Sequence, residues 1–201
     1  MHVKICGITT SAAAQEALRA GADFLGFVFA PSKRQLTPEQ AARITADLPP
    51  SLAKVGVFVN ASRDTIMTTA EQAGLDMIQL HGDEPPSFAA SLPYPVIKAF
   101  RLREQHPETI KRYPCTYNLI DSPTGPGRGG NGTTFDWKQL ADSSLDPHKT
   151  ILAGGLTPEN VHAAITAAGP AAVDVSSGVE TDGTKDLAKI NQFIQNAKQK
   201  G

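Results

Sequence analysis

The chain is predicted to be an α/β protein closed into a (β/α)8 barrel, and three observations carry that prediction. Eight short apolar runs, rich in β-branched residues and bounded by turn residues, recur at 2–8, 24–29, 53–59, 77–81, 96–102, 116–121, 150–153 and 171–176. Amphipathic stretches lie between them, the pattern of successive βαβ units and a parallel sheet. No G-x-G-x-x-G follows the first run, which weighs against the rival open, doubly wound sheet. Eight units joined by right-handed crossovers close most economically, because closure leaves no exposed edge strand. The 201 residues suit a barrel read as one domain, 1–201.

Each element carries its own punctuation. In VKICGI the apolar Val3 and Ile5 suit the helix layer, so Lys4 and Cys6 share the opposite, inward face. SAAAQEALRAG follows and closes on glycine. TPEQAARITADLP after the second run, SRDTIMTTAEQAG after the third and TPENVHAAITAAG after the seventh open on Ser or Thr as plausible N-caps, two with Pro at the first helical position. The fourth run, in MIQLHGDE, turns Ile78 and Leu80 outward and Gln79 and His81 inward. The sixth ends on Asp121. In the last, VDVSSG, the outward valines leave Asp174 and Ser176 inward. Strands one and eight adjoin on closure, so Lys4 is expected to pair with Asp174. A glycine-rich stretch at 122–134 follows the sixth run, where a barrel admits and covers substrate, and is read as a lid.

Active sites of this fold sit at the C-terminal ends of the strands. Cys6, His81, Asp121 and Asp174 all fall there. Singly, a cysteine is often a small buried hydrophobe and an aspartate at a strand end a turn former; their convergence on one face is the informative fact. Cys115 precedes the sixth run, lies toward the opposite face and is read as structural. Gly154 and Gly155 follow strand seven, while Ser177, Gly178 and Val179 follow strand eight. Glycines let backbone N–H groups approach an anion, and loops seven and eight are where such barrels hold phosphate. Arg34, after strand two, could grip a carboxylate bidentately or be an exposed loop residue.

Composition narrows the partners. With 19 Lys+Arg against 20 Asp+Glu the formal net charge is −1, so no global basic field attracts nucleic acid or a membrane, and any anion must be held locally. No apolar run approaches a membrane span, and no signal-peptide pattern follows Met1. The chain is expected to be soluble and cytoplasmic. Two cysteines, far apart, support neither a disulfide framework nor a zinc site.

KICGIT at 4–9, GFVFAPSKR at 26–34, QLHGDE at 79–84, IDS at 120–122 with GGNGTTFDW at 129–137, AGGLTPENV at 153–161 and DVSSGVE at 174–180 occur in this order across the whole chain. Together they resemble the phosphoribosylanthranilate isomerase family of tryptophan biosynthesis. The resemblance implies a cofactor-free and metal-free Amadori rearrangement of a small phosphorylated substrate. It implies Cys6 as general base, Asp121 as general acid, Arg34 on the anthranilate carboxylate and the Gly154, Gly155, Ser177, Gly178 and Val179 backbone on the phosphate. His81 and Asp174 match positions lining the site. The chain would act as a monomer or homodimer. Two departures stand out: GGNG replaces an expected GGTG, and ETDGTKD stands where a proline-containing turn is common. Another phosphate-binding barrel enzyme of sugar-phosphate metabolism, or a noncatalytic sugar-phosphate-binding barrel, is the alternative at this point.

Overall fold

A computed structural model describes residues 1–101, 104–121 and 137–199, apart from the side chains of 138 and 139. The expected lid at 122–134 lies outside the described residues, as does the end of the fifth apolar run. Eight parallel strands follow one another around a closed barrel: β1 (His2–Cys6), β2 (Phe24–Val28), β3 (Ala53–Phe58), β4 (Met77–Leu80), β5 (Val96–Phe100), β6 (Tyr117–Asp121), β7 (Thr150–Ala153) and β8 (Ala172–Val175). The barrel closes where β1 pairs with β8, in a register that sets Lys4 opposite Asp174. Most strands stop one or two residues before the apolar run ends. At β1 the reason is local: Gly7 takes φ 76°, turning the chain out of the ladder directly after Cys6.

The helices are α1 (Ser11–Ala20), α2 (Pro38–Thr45), α3 (Arg63–Ala73), α4 (Pro86–Ala90), α5 (Pro107–Lys111), α6 (Trp137–Ala141), α7 (Val161–Ala168) and α8 (Leu187–Lys198). The sequence punctuation is realised in hydrogen bonds. Thr37 and Gln40 form a reciprocal capping box on α2, Ser62 caps α3, and Gly74 ends α3 in the left-handed region. α7 starts later than TPEN suggests. The Asn160 side chain accepts from the Thr157 N–H at 2.8 Å and donates to the Gly155 carbonyl at 3.0 Å, so this segment becomes a hydrogen-bonded turn before the helix begins.

Side-chain alternation divides the core as expected. Val3, Ile5, Ile78, Leu80, Val173 and Val175 pack under the helices, whereas Phe24, Val55, Met77, Ile97, Leu119 and Ile151 fill the barrel interior. This apolar plug leaves only the upper layer of inward positions for polar groups. After β8 come a 3-10 turn at Ser177–Val179 and a hairpin of β9 (Glu180–Thr181) and β10 (Thr184–Lys185). Asp182 and Gly183 form its two-residue tip with φ of 51° and 77°. An Asp-Gly pair suits the twist of such a tight turn.

One polar feature of the helix-facing side is absent from the apolar pattern. Lys98 on β5 is buried, and its Nζ donates to the Gly82 carbonyl at 2.5 Å and to Glu84 Oε2 at 3.0 Å. Glu84 in turn accepts from the Asn60 and Gly82 N–H groups, and Tyr113 Oη donates to the Glu84 carbonyl. This network fixes the loop that leaves β4. Removing one partner of such a buried pair strands the other charge. Lys98→Met is therefore expected to lower stability by about 3–5 kcal/mol, read as the urea midpoint, and adding Glu84→Gln should recover part of the loss. A Lys98→Met chain as stable as its parent would show that the pair does not hold this loop.

Candidate functional site

A cavity of about 350 Å³ opens at the C-terminal ends of the strands. Of the ten residues singled out from sequence, Cys6, Arg34, His81, Asp121, Gly154, Gly155, Asp174, Ser177 and Gly178 line it. Val179 does not. Its side chain is fully buried in the layer beneath the helices, and its N–H donates to the Ser176 carbonyl at 3.4 Å inside the 3-10 turn.

Cys6 ends β1 and is buried. One layer below, Lys4 donates to Asp174 Oδ1 at 2.9 Å, the pairing that side-chain parity predicts. Gly26 on the neighbouring strand makes room for this group. A Cβ there would stand 2.8 Å from Cys6 Sγ and 3.1 Å from Lys4 Nζ. Burial works against the Lys4 ammonium, but the charge of Asp174 and the hydrogen bonds to Asp174 and Cys6 outweigh it, so its pKa is raised. Burial pushes the Cys6 thiol above its ordinary value; Lys4 opposes the shift, Asp174 adds to it, and Lys185 draws it back weakly. In the ligand-free site Cys6 is therefore a neutral thiol near pH 7.

Asp121 ends β6, three strands from β1 by the shorter way round the barrel. Burial first, and the nearby charge of Asp174 second, push its carboxyl up, against a smaller pull from Arg101. His81 Nε2 lies 3.8 Å from Asp121 Oδ2, too far for a hydrogen bond. Burial also lowers the His81 pKa, helped by Lys4, Lys98 and Arg101 and opposed by Asp174, so the ring is neutral near pH 7. Gln79 Nε2 lies 3.0 Å from His81 Nδ1 and can only donate, which leaves the ring hydrogen on Nε2, facing Asp121. Gln79 Oε1, buried in the cavity wall, has no hydrogen-bond partner among the described residues. Sequence parity placed Gln79 inward but gave no sign of this unsatisfied acceptor.

Gly154 and Gly155 turn consecutively through the left-handed region, with φ of 83° and 65°. Successive residues of this kind direct backbone N–H groups into an anion-binding concavity. Gly178 sits against the backbone of the β7 loop, and a Cβ there would run into the Leu156 carbonyl. Only glycine lets the two loops meet. Cys115 lies before β6, at the other end of the barrel. Its Sγ approaches Asn118 Oδ1 at 3.1 Å, and burial pushes its thiol up to about 11.

Arg34 reaches the cavity but arrives already paired. Its Nε donates to Glu180 Oε1 at 2.6 Å and its Nη2 to Glu180 Oε2 at 2.8 Å. Lys185 Nζ donates to the same Glu180 Oε1 at 2.7 Å and to the Ser176 carbonyl at 2.9 Å. Sequence reasoning missed Glu180 and Lys185. The Asp-Gly pair between them signals the hairpin that makes them direct cross-strand neighbours.

This constellation has close relatives. Residues 3–196 match the family model described as N-(5'phosphoribosyl)anthranilate (PRA) isomerase. The chain is 49% identical over 201 residues to N-(5'-phosphoribosyl)anthranilate isomerase of Oceanobacillus iheyensis, covering 100% of this chain and 98% of that one. The crystal structure of phosphoribosyl anthranilate isomerase from Thermotoga maritima superposes with a TM-score of 0.87 at 42% identity, over 98% of each chain. Another isomerase structure, in complex with reduced 1-(O-carboxyphenylamino)-1-deoxyribulose 5-phosphate, gives 0.83 at 40% identity, again over 98% of each. A match that spans the barrel from β1 to α8 and keeps every strand that feeds the cavity leaves one conclusion: the chain belongs to the N-(5'-phosphoribosyl)anthranilate isomerase family.

Proposed function

We propose that this chain catalyses the Amadori rearrangement of N-(5-phosphoribosyl)anthranilate to 1-(2-carboxyphenylamino)-1-deoxyribulose 5-phosphate in tryptophan biosynthesis. One observation carries the reading: a thiol on β1 and a carboxyl group on β6 face one cavity from separate walls, between a two-glycine loop and an arginine. Such a cavity suits a substrate with a phosphate at one end, a carboxylate at the other, and a ring to be opened between them.

The chemistry is two proton transfers. Asp121, protonated, donates to the furanose ring oxygen as the anthranilate nitrogen lone pair forms a C1=N iminium and the C1–O bond breaks. The Cys6 thiolate then removes the hydrogen from C2, and that electron pair forms C1=C2 and neutralises the iminium. The resulting enolamine loses its O2 proton and gains one at C1 to become the ketone. Asp121 has released a proton and Cys6 has gained one, and exchange with solvent restores both. Because each step moves only a proton, the reaction asks for no cofactor. The Gly154, Gly155, Ser177 and Gly178 backbone holds the phosphate, Arg34 the carboxylate, and His81 and Asp174 shape the wall beside Asp121. A thiol base must stay reduced, and both cysteines are free, which fits a cytoplasmic enzyme.

Cys6→Ser should leave the urea midpoint unchanged while turnover falls by about 10²–10⁴-fold, the usual worth of a positioned acid or base. Near-parental turnover would remove Cys6 from the mechanism. Arg34→Ala should raise KM for phosphoribosylanthranilate substantially and leave inhibition by inorganic phosphate nearly as it was; equal weakening of both would contradict the carboxylate role. The pH dependence has a defined sign. Both pKa values are raised, so the base titrates above the acid, and the productive form, thiolate with carboxylic acid, is a minority over a broad plateau. The acid limb of kcat/KM should then lie above the ordinary aspartate value, and the alkaline limb above the ordinary thiol value. In a Cys115→Ser background, thiolate absorbance should rise with that alkaline limb. A thiolate already formed below neutral pH would rule this ordering out.

A further inference from the structure

The Arg34 side chain crosses the loop that carries the proposed base. Gly7, directly after Cys6, has φ 76°, and a Cβ there would run into Arg34 Cδ. What holds the stem in that groove is Glu180, whose carboxylate is almost fully buried and takes the Nε and Nη2 edge of the guanidinium. A guanidinium has five N–H donors. This side-on pairing uses two, and among the described residues Nη1 has no partner.

Two readings of the pair are open to a substrate carboxylate. Glu180 either occupies the place that the substrate must take, or presents the remaining edge of the fork to it. The surroundings decide between them. Lys185 Nζ donates to Glu180 Oε1 at 2.7 Å and to the Ser176 carbonyl, Lys189 Nζ donates to the Glu180 carbonyl at 2.9 Å, and Lys33 Nζ stands 3.7 Å from Glu180 Oε2. Hydrogen bonds and charge from Arg34 and Lys185 overcome the effect of burial and bring the Glu180 carboxyl down to about 2, so it is ionised wherever the enzyme works. The two-residue tip at Asp182 and Gly183 fixes the register that sets Lys185 opposite Glu180. A carboxylate this firmly held is not a mobile stand-in for a ligand. The charges also fit. Arg34 and Glu180 alone sum to zero, and Lys185 restores a net positive charge facing an anionic substrate.

We propose that Glu180, seated by Lys185, is a positioning residue that aims the free edge of Arg34 at the substrate carboxylate and so sets specificity for the anthranilate end. The same lysine ties this end to the phosphate end, because its second hydrogen bond is to Ser176, the residue before the phosphate turn. The proposal rests on Arg34 binding the substrate carboxylate.

A double-mutant cycle tests it. Glu180→Gln keeps the shape and Glu180→Ala removes the group; each is made in the parent and in Arg34→Ala, and thermal unfolding monitors the fold. KM and kcat for phosphoribosylanthranilate are read from the loss of its fluorescence, with inorganic phosphate as competitor. Loss of an aligned charge-assisted pair should raise KM about 10-fold with kcat changed less than about threefold and phosphate inhibition little altered. In the Arg34→Ala background the Glu180 substitutions should add almost nothing. Lys185→Met, which leaves Glu180 and Arg34 facing each other, should also raise KM. A fall in KM on removing Glu180 would show that it competes with substrate, and full additivity with Arg34→Ala would show that it acts elsewhere; either overturns the proposal. If Arg34→Ala alone leaves KM unchanged, the carboxylate assignment itself fails, a result distinct from both.

Discussion

The ion pair between Lys4 and Asp174 is the interaction on which the working end of this barrel depends. It lies across the seam where β8 meets β1, with the two residues in register and 2.9 Å between Nζ and Oδ1. Taking both charges out of water costs several kcal/mol each, and the cost is offset only by close geometry in a low-dielectric setting. Beneath the pair the interior is apolar, filled by Phe24, Val55, Met77, Ile97 and Leu119. Above it sit the thiol and the carboxyl group proposed to move protons. The pair is thus the boundary between plug and site.

Its polarity is as important as its presence. The cationic end faces Cys6 and draws the thiol toward ionisation, against burial, while the anionic end pushes Asp121 toward its protonated form. Reversing the pair would reverse both influences. Burial raises the pKa of both the proposed base and the proposed acid; Lys4 opposes that rise at Cys6 alone. Asp174 acts on both groups and Lys4 on the thiol, and the pair makes this distinction without adding net charge to a chain whose formal charge is only −1.

How far this was legible in the sequence follows from which interactions are local. Alternation of apolar and polar residues placed Lys4, Cys6, Gln79, His81 and Asp174 on the inner face, because strand parity is a nearest-neighbour property, and Asp121 was placed by ending its strand. The Lys4–Asp174 pair followed from that parity together with closure of the barrel. Strand ends were less clear, since the apolar pattern continues for a residue or two after the ladder has stopped. Val179 stands outside the cavity lining because a 3-10 turn, invisible in composition, directs its N–H toward the Ser176 carbonyl. Lys98 and Glu84 were hidden for the opposite reason: Lys98 lies on the helix-facing side, where the pattern predicts apolar contact, Glu84 lies in a loop, and their partners are each other and backbone groups of that loop. Arg34 with Glu180 is the clearest case. The two are 146 residues apart in sequence, and only the hairpin after β8, signalled by Asp182 and Gly183 but not aimed by them, brings the carboxylate to the guanidinium.

The free site therefore holds the proposed base as a neutral thiol, and the proposed acid as a carboxyl group whose proton is retained more strongly than usual. Asp121 is thereby moved toward the state that the proposed chemistry needs, and Cys6 away from it. In the proposed mechanism these directions suit one order of events. Protonation of the ring oxygen can proceed before the base is armed, and the iminium it creates is a positive charge delivered to the cavity itself. That charge favours the thiolate at the moment when the C2 hydrogen is at its most acidic, so one step lowers the barrier to both halves of the next. An enzyme with a permanent thiolate at Cys6 would have to stabilise a buried anion beside Asp174 throughout its resting life. Letting the substrate supply the missing positive charge confines that cost to the part of the cycle in which it is useful.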